Sequence, residues 1–390
     1  MSLDPYKGVR DFYPEDERVQ NYMFSAMRRA VESYGYEEMN ASVLEPTDLY
    51  TAKTSEEIVS KQTYTFTDRG DRSVTLRPEM TPTVARMVAA RKRELGFPLR
   101  WYSIQNFFRY ERPQRGRLRE FWQLNADLFG VSGIEADVEI ISVAHKVMME
   151  LGANENDFVI KIGNRQFLDA VYDSVGIAKE ERQHMTRLLD GKDKDADAPQ
   201  NILDALANPN SFQYFAKLRN ELETRGIGNA VIDPSIARGF DYYTGMVFEV
   251  FDTDPANTRS MFGGGRYDNL VGQYGKEAVP AIGFAMGDVI ARDFLETHAL
   301  LEGLAPATEL YLAPFSDEYA ADASRCADAL RATGMKVALG MNHKKVGDHI
   351  KAAEKLGIPS FAVYGANEKE SGTITIKNLA TGTEHAQNYV

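Results

Sequence analysis

The stretch from Phe107 to Gly130, FFRYERPQRGRLREFWQLNADLFG, constrains this chain more than any other. Two runs with strand character flank a turn, PQRGRLR, that carries Pro113, Gly116 and the arginines Arg115, Arg117 and Arg119. Side chains alternate between the faces of a strand. Phe107, Arg109 and Glu111 therefore share one face of the first run. In the second run Trp122, Leu124, Ala126 and Leu128 make an apolar face, and Gln123, Asn125 and Asp127 lie opposite. Paired antiparallel, the runs present Arg109, Glu111, Gln123, Asn125 and Asp127 on one surface. Such a surface is either the wet side of an antiparallel sheet or a floor for a zwitterion and a nucleotide, with arginine for phosphate and acids and amides for the rest. The arginine-rich turn lies outside that floor, placed to meet a polyanion.

F-R-Y-E-R-P-Q-R-G-R followed by F-W-Q resembles the second signature of class II aminoacyl-tRNA synthetases, in the form typical of the histidyl-tRNA synthetase family. Other stretches fit the same resemblance. A helix expected over roughly Pro14 to Tyr34, then a strand through YEEMNASVLEP ending at Pro46, resembles the first signature, which forms the dimer interface in that family. RPEMTP (Arg77 to Pro82) follows an expected hairpin, Tyr64–Phe66 with Ser73–Leu76, and precedes a helix running to Leu95. Glu79 and Thr81 thus stand at a strand–helix junction, where ligand-binding groups are common. Glu79 alone reads equally well as a first-turn acid favoured by the helix dipole. R-G-F-D-Y-Y-T-G-M, Arg238 to Met246, is very close to a signature peculiar to histidyl-tRNA synthetases and their relatives, and is the most specific signal in the chain. FGGGRYDNL, Phe262 to Leu270, lacks dinucleotide-fingerprint spacing. Its three glycines after a strand permit a close backbone approach to a ligand, or only a tight bulge. PAIGFAMGD, Pro280 to Asp288, is expected to lead into a helix ending near Leu300.

At 390 residues, two or three domains are expected. The segment Arg165 to Gly228 is charged and helical around a loop at Asp190–Asn201, and reads as an insertion. After a linker at Leu301–Thr308, strands and helices alternate, which predicts a small, largely parallel sheet with helices on both faces and TITIKNL as a last edge strand. The fold class is thus α/β: an α+β catalytic domain over 1–300 with an antiparallel sheet of class II type, a helical insertion at about 165–228, and an anticodon-binding-like α/β domain over 309–390. No apolar run is long enough for a membrane span, and no secretory signal is apparent at the N-terminus. One cysteine, Cys326, excludes an intramolecular disulfide and a cysteine metal cluster, so a cytoplasmic protein is expected. His343 and His349 do not share a helical face and are expected to be solvated, not metal ligands. A net charge of −12 argues against nonspecific coating of nucleic acid. Residues 306–390 carry only −1 of it, and so repel a polyanion least. Phosphate-loop and nucleophile-elbow motifs are absent from the sequence.

The resemblance implies a histidine–tRNA ligase that uses L-histidine, ATP with Mg²⁺ on its phosphates, and tRNA(His), acting as a homodimer. It assigns Arg109 and Arg238 to the two sides of the α-phosphate, and Glu111 and Arg117 to the adenine and triphosphate. Glu79, Thr81 and Gln123 surround the ammonium of the amino acid. Asp127 and Tyr243, beside Tyr242, grip the imidazole, and Gly287 adjoins the ATP. The chain departs from the family pattern in two places. Asp127 stands where glutamate is usual. The third signature normally ends Gly-x-Glu-Arg, but Gly287 is followed by Asp288, Val289 and Ile290, so the γ-phosphate arginine is missing. That loss leaves open a second reading, a synthetase paralogue serving as regulatory subunit of ATP phosphoribosyltransferase. Such paralogues tend to lose the arginines and the anticodon-binding domain, whereas Arg109, Arg117, Arg238 and a C-terminal α/β unit are present here.

Overall fold

A computed structural model describes residues 3–51, 62–189, 199–207, 209, 212–236, 242–341 and 345–390, apart from the side chains of Thr51, Gln183 and Arg187. The chain divides into two compact units, Met1–Tyr13 with Val19–Leu301 and Pro14–Arg18 with Glu302–Val390.

The first unit contains β1 (Glu37–Glu38), β2 (Leu44–Pro46), β3 (Tyr64–Thr67), β4 (Ser73–Leu76), β5 (Leu99–Phe108), β6 (Glu120–Phe129), β7 (Phe158–Asn164), β8 (Ala230–Ile232), β9 (Met246–Asp252), β10 (Ser260–Arg266) and β11 (Ala281–Gly287). Eight of them form one sheet in the order β1-β5-β6-β11-β10-β9-β7-β8, and β2, β4 and β3 form a small second sheet. From β5 to β7 every neighbouring pair in the large sheet is antiparallel. The single strand expected up to Pro46 is broken in two. Between β1 and β2 the backbone serves Arg77 instead of a ladder: Arg77 N donates to Val43 O at 2.9 Å and its guanidinium to Ala41 O at 2.9 Å.

One face of the large sheet packs under two helices. Pro14–Glu32 buries Met23, Ala26, Met27, Ala30 and Val31, the spacing of one helical stripe. Ile134–Glu150 buries Ile140, Val143, Ala144, Val147 and Met148. Both meet Leu124, Ala126 and Leu128 of β6 and Phe284 of β11, so the expected apolar face of β6 is a core face. On the opposite face Val84, Ala85 and Val88 of the helix Thr81–Arg91 cover Phe107 and Phe129.

Pro280 to Asp288 leads into a helix as expected, and does so through a strand, β11. It is a central strand buried on both faces, where small residues (Ala281, Gly283, Ala285, Gly287) alternate with large apolar ones (Ile282, Phe284, Met286) and no polar face marks it, and the helix after it is Asp288–Thr297. The three glycines likewise lie inside β10 rather than after a strand. The segment expected to be an insertion holds the helices Arg165–Ser174, Lys179–Leu189, Gln200–Leu206 and Gln213–Thr224 around Phe167, Tyr172, Ile202 and Phe215. Most of the expected loop at Asp190–Asn201 lies outside the described residues, and its last two residues already belong to a helix. Arg266 Nε reaches Asp137 Oδ1 at 2.6 Å and Tyr214 Oη donates to Asp137 Oδ2 at 2.8 Å. That buried network joins β10, the 134–150 helix and the 213–224 helix, because a buried guanidinium needs its charge matched.

The second unit has β12 (Leu310–Pro314), β13 (Val337–Leu339), β14 (Ser360–Tyr364), β15 (Thr373–Asn378) and β16 (Glu384–Asn388), in the order β13-β12-β14-β15-β16. β12 pairs in parallel with β13 and β14, and β15 and β16 continue antiparallel. β15 is therefore not an edge: β16 covers it. The helix Ala320–Ala332 buries Ala323, Cys326, Ala327 and Leu330 in one cluster, and Val346–Lys355 contributes Ala353 to another. His349 is buried, with Tyr311 Oη 3.1 Å from its Nδ1, so it is not solvated as expected. His343 lies outside the described residues.

Candidate active site

The polar face of β6 looks into a cavity of about 1080 Å³ in the first unit. Its floor follows from register, because residues directly opposite in neighbouring strands share a face. Asp127 stands beside Gly283, which stands beside Gly265. The next row on the same face is Asn125, Ala285, Gly263 and Glu249. Gln123 and Gly287 follow. Small residues thus tile the middle of the floor between the polar residues of β6 and Glu249 of β9. A side chain could not be accommodated there: a Cβ on Gly283 would overlap Asp127 Oδ1, and one on Gly265 would lie 2.6 Å from Met246 O.

Asn125 and Asp127 are each only 3% exposed, which excludes the reading of this face as a wet sheet surface. Tyr267 Oη donates to Asp127 Oδ1, while Asp127 Oδ2 is buried without a hydrogen-bond partner among the described residues. Burial pushes the Asp127 carboxyl up to about 7, and the Tyr267 hydroxyl pulls the other way. An unpaired buried carboxylate oxygen is costly. It is also a place where a ligand N–H gains most. Tyr242 donates toward Glu79 Oε2 at 3.5 Å, and its ring lies 5.0 Å from that of Tyr243 and 6.0 Å from that of Tyr267. Glu79 is buried just before the 81–91 helix, not in its exposed first turn.

The opposite end of the cavity is cationic. Pairing of β5 with β6 ends at Phe108 and Glu120, so the connection is longer than the expected seven-residue turn. Arg109 Nε donates to Pro78 O at 2.8 Å, with the guanidinium over the Phe121 ring at 5.3 Å. Arg117 pairs with Glu111 at 3.4 Å and Arg115 with Asp293 at 2.9 Å. Arg119 is turned to the N-terminal segment, where its Nη1 meets Tyr6 Oη at 3.0 Å. The helix Asp288–Thr297 closes this end, and Asp288 accepts from Arg10 at 2.6 Å, Gln20 at 3.1 Å and Trp122 N at 2.9 Å. Ile290, in the position of the missing arginine, faces Gly116: a Cβ there would stand 3.4 Å from Ile290 Cγ1.

Glu79, Thr81, Arg109, Glu111, Arg117, Gln123, Asp127, Tyr242, Tyr243 and Gly287 all line this one cavity. Arg238 lies outside the described residues, as do Gly239 to Asp241 of the same motif. Sequence reasoning gave no role to Tyr267, Glu249 or Arg259, which line the cavity too. Tyr267 sits in the quoted FGGGRYDNL motif, yet its hold on Asp127 depends on the register of three strands. Among the described residues no group of three His, Cys, Asp or Glu side chains is arranged to hold a metal ion. An ion carried by phosphate oxygens and water needs no such cage. No described helix is long and apolar enough to cross a membrane.

Comparison with known proteins places the chain in a family. The family model described as histidyl-tRNA synthetase matches residues 8–223 and 200–288, and the anticodon binding domain model matches residues 309–388. The histidine–tRNA ligase of Leptospira biflexa serovar Patoc is 41% identical over 98% of this chain and 94% of its own length. That of Halobacterium salinarum is 35% identical over 98% and 95%. Crystal structures of histidyl-tRNA synthetase from Nostoc sp. PCC 7120 (22% identity, TM-score 0.83) and of the apo S. aureus enzyme (26%, 0.78) each cover 100% of this chain, which covers 97% of them. These likenesses identify the fold as the class II synthetase type. With the family model matching most of its length and relatives above 30% identity spanning nearly all of it, the chain belongs to the histidyl-tRNA synthetase family.

Proposed function

We propose that this chain is a histidine–tRNA ligase, which forms histidyl-adenylate from L-histidine and ATP and passes the histidyl group to tRNA(His). The observation that carries this reading is one cavity with a buried, unpaired carboxylate oxygen on Asp127 at one end and arginines at the other. An imidazole N–H meets Asp127 Oδ2, and Tyr243 serves the other edge of the ring. Glu79, Thr81 and Gln123 surround the ammonium, and Tyr242 positions Glu79. The substrate carboxylate then points along the floor toward Arg109. There a carboxylate oxygen bonds to the α-phosphorus, the bond to the bridging β-phosphate oxygen breaks, and pyrophosphate leaves. Negative charge spreads over the phosphoryl oxygens, and cations fixed beforehand lower the barrier. Arg109 takes one side of the α-phosphate, Arg238 the other, and Glu111, Arg117 and Gly287 border the nucleotide. Mg²⁺ brought with the ATP would supply further neutralisation. In the second step the terminal ribose hydroxyl of the tRNA bonds to the acyl carbon and AMP departs.

Residues 1–300 form the catalytic domain with its insertion at about 165–228, and 309–390 the anticodon-binding domain. The enzyme works as a cytoplasmic homodimer. Pyrophosphate exchange into ATP tests the reaction directly. Exchange is expected only when L-histidine is present. No exchange at saturating substrates, with tight binding to an ATP phosphoribosyltransferase instead, would make the chain a regulatory subunit.

A further inference from the structure

The cationic end of the cavity carries an arginine that neither the sequence motifs nor the reaction above employ. Arg259 immediately precedes β10, lines the cavity, and is exposed. It makes no ion pair among the described residues. Its place along the floor is fixed by register. Gly263 is opposite Ala285, so the chain before Ser260 runs past the end of β11 where Gly287 stands, opposite Gln123. Asp127 and Gly283 are four residues away along their strands, about 13 Å at ~3.3 Å per residue. Arg259 therefore belongs to the end occupied by Ile290 and the 109–119 connection.

The segment that carries it is anchored there. Asn257 Nδ2 donates to Asp252 Oδ2 at 2.6 Å and to Thr297 Oγ1 at 3.2 Å, and Thr297 Oγ1 in turn donates to Asp293 O at 2.8 Å. Asp293 is the partner of Arg115. Two arginines, Arg115 and Arg259, thus reach this end from opposite loops tied to one helix, and only Arg115 has its charge offset by a carboxylate. The wall between them is apolar, made by Val289, Ile290 and Phe294. A polyanion ending there finds no other cation on that helix face.

We propose that Arg259 binds the terminal phosphate of the ATP, supplying the charge that Ile290 does not. This rests on the reading of the cavity as an adenylate-forming site, and it is tested by binding rather than by turnover. Arg259 is exposed, so Arg259→Ala and Arg259→Glu should fold normally. Equilibrium binding of ATP and of AMP is measured for both variants and the parent protein. Arg259→Ala should weaken ATP about tenfold, as expected for one charge-assisted contact at a partly solvated site. Arg259→Glu should weaken it further, and AMP binding should be unchanged in both. Unaltered ATP binding in both variants, or equal weakening of ATP and AMP, would overturn the assignment. Histidine-dependent exchange by the parent protein, measured separately, shows whether the underlying reaction reading stands. A failure of that reading leaves the ATP-against-AMP comparison intact.

Discussion

The two ends of the cavity are built by opposite means. At the Asp127 end, strands set the floor: three rows of the sheet are in register, glycines remove the side chains between them, and Asn125 and Asp127 are 3% exposed. At the arginine end, loops and one helix set the positions, and the side chains of Arg115 and Arg117 are more than half exposed. A buried site discriminates, because a wrong side chain strands its polar groups without partners. A row of partly solvated cations discriminates little, but it places charge where a phosphoryl group develops it. The division suits a reaction that must choose one ring among the amino acids and accept a nucleotide common to all of them.

The sharpest way to break this division is at Arg109, at the cationic end. Pro78 O and the Phe121 ring hold its guanidinium in place without neutralising it. Arg109→Ala should lower the histidine-dependent exchange rate by ~10²–10³, the loss typical of removing one fixed donor from a charge-stabilising site. The fold should persist, since Arg109 lies beyond the last paired residue of β5. Exchange per folded molecule, with thermal melting as the control, measures it. A variant with full activity per folded molecule would remove Arg109 from the chemistry.

Asp127 tests the strand-built end alone. Asp127→Asn keeps the size but offers an amide where the imidazole N–H needs an acceptor. The histidine KM should rise about 50-fold, within the range for losing a buried charge-assisted bond, and the ATP KM should stay within twofold. The ligand-free protein should also show the cost of this carboxylate. Its folded-state value near 7 is raised above the roughly 3.9 of an unfolded aspartate. Between those pH values the folded protein keeps a proton that the unfolded chain has lost, so stability falls as pH rises from about 4 through 7. Denaturation of Asp127→Asn at pH 5 and 7.5 should show a flatter dependence than the parent. Equal slopes would mean that Asp127 is not the buried titrating group.

What was legible in the sequence follows the same division. The alternation along β6 put Gln123, Asn125 and Asp127 on one face, because strand periodicity is local and unambiguous. The partner of Asp127 was not legible. Tyr267 is 140 residues away in sequence, and only the β6–β11–β10 register brings the two together. β11 was hidden for a related reason: AIGFAMG is buried on both sides, and its alternation is one of size alone, with no polar face to read. The glycines of β10 read as a close backbone approach to a ligand or as a bulge, and only the register with β11 puts Gly263 and Gly265 in the cavity floor. At the other end, arginine content marked the 109–119 connection, yet the partners of Arg115, Arg117 and Arg119 were not legible. Pairing with Glu111, Asp293 or Tyr6 is decided by loop geometry and by residues far along the chain.

The smallest expected effect comes from Arg115, and it separates position from charge at the loop-built end. Arg115 faces the same region as Arg259, but Asp293 lies 2.9 Å from it, and the pair is mostly exposed on the arginine side. An exposed pair of this kind contributes at most about 1 kcal/mol to stability, so the melting temperature of Arg115→Ala should move little. Its charge is already offset, so the ATP KM should rise no more than about threefold, well short of the change expected at Arg259. The histidine KM should not move at all, because Arg115 touches none of the strand rows around Asp127. Steady-state exchange with each substrate varied in turn reads both constants. A parallel rise in the histidine constant would show that the connection between β5 and β6 transmits to the buried end, and the two ends would then have to be treated as one site.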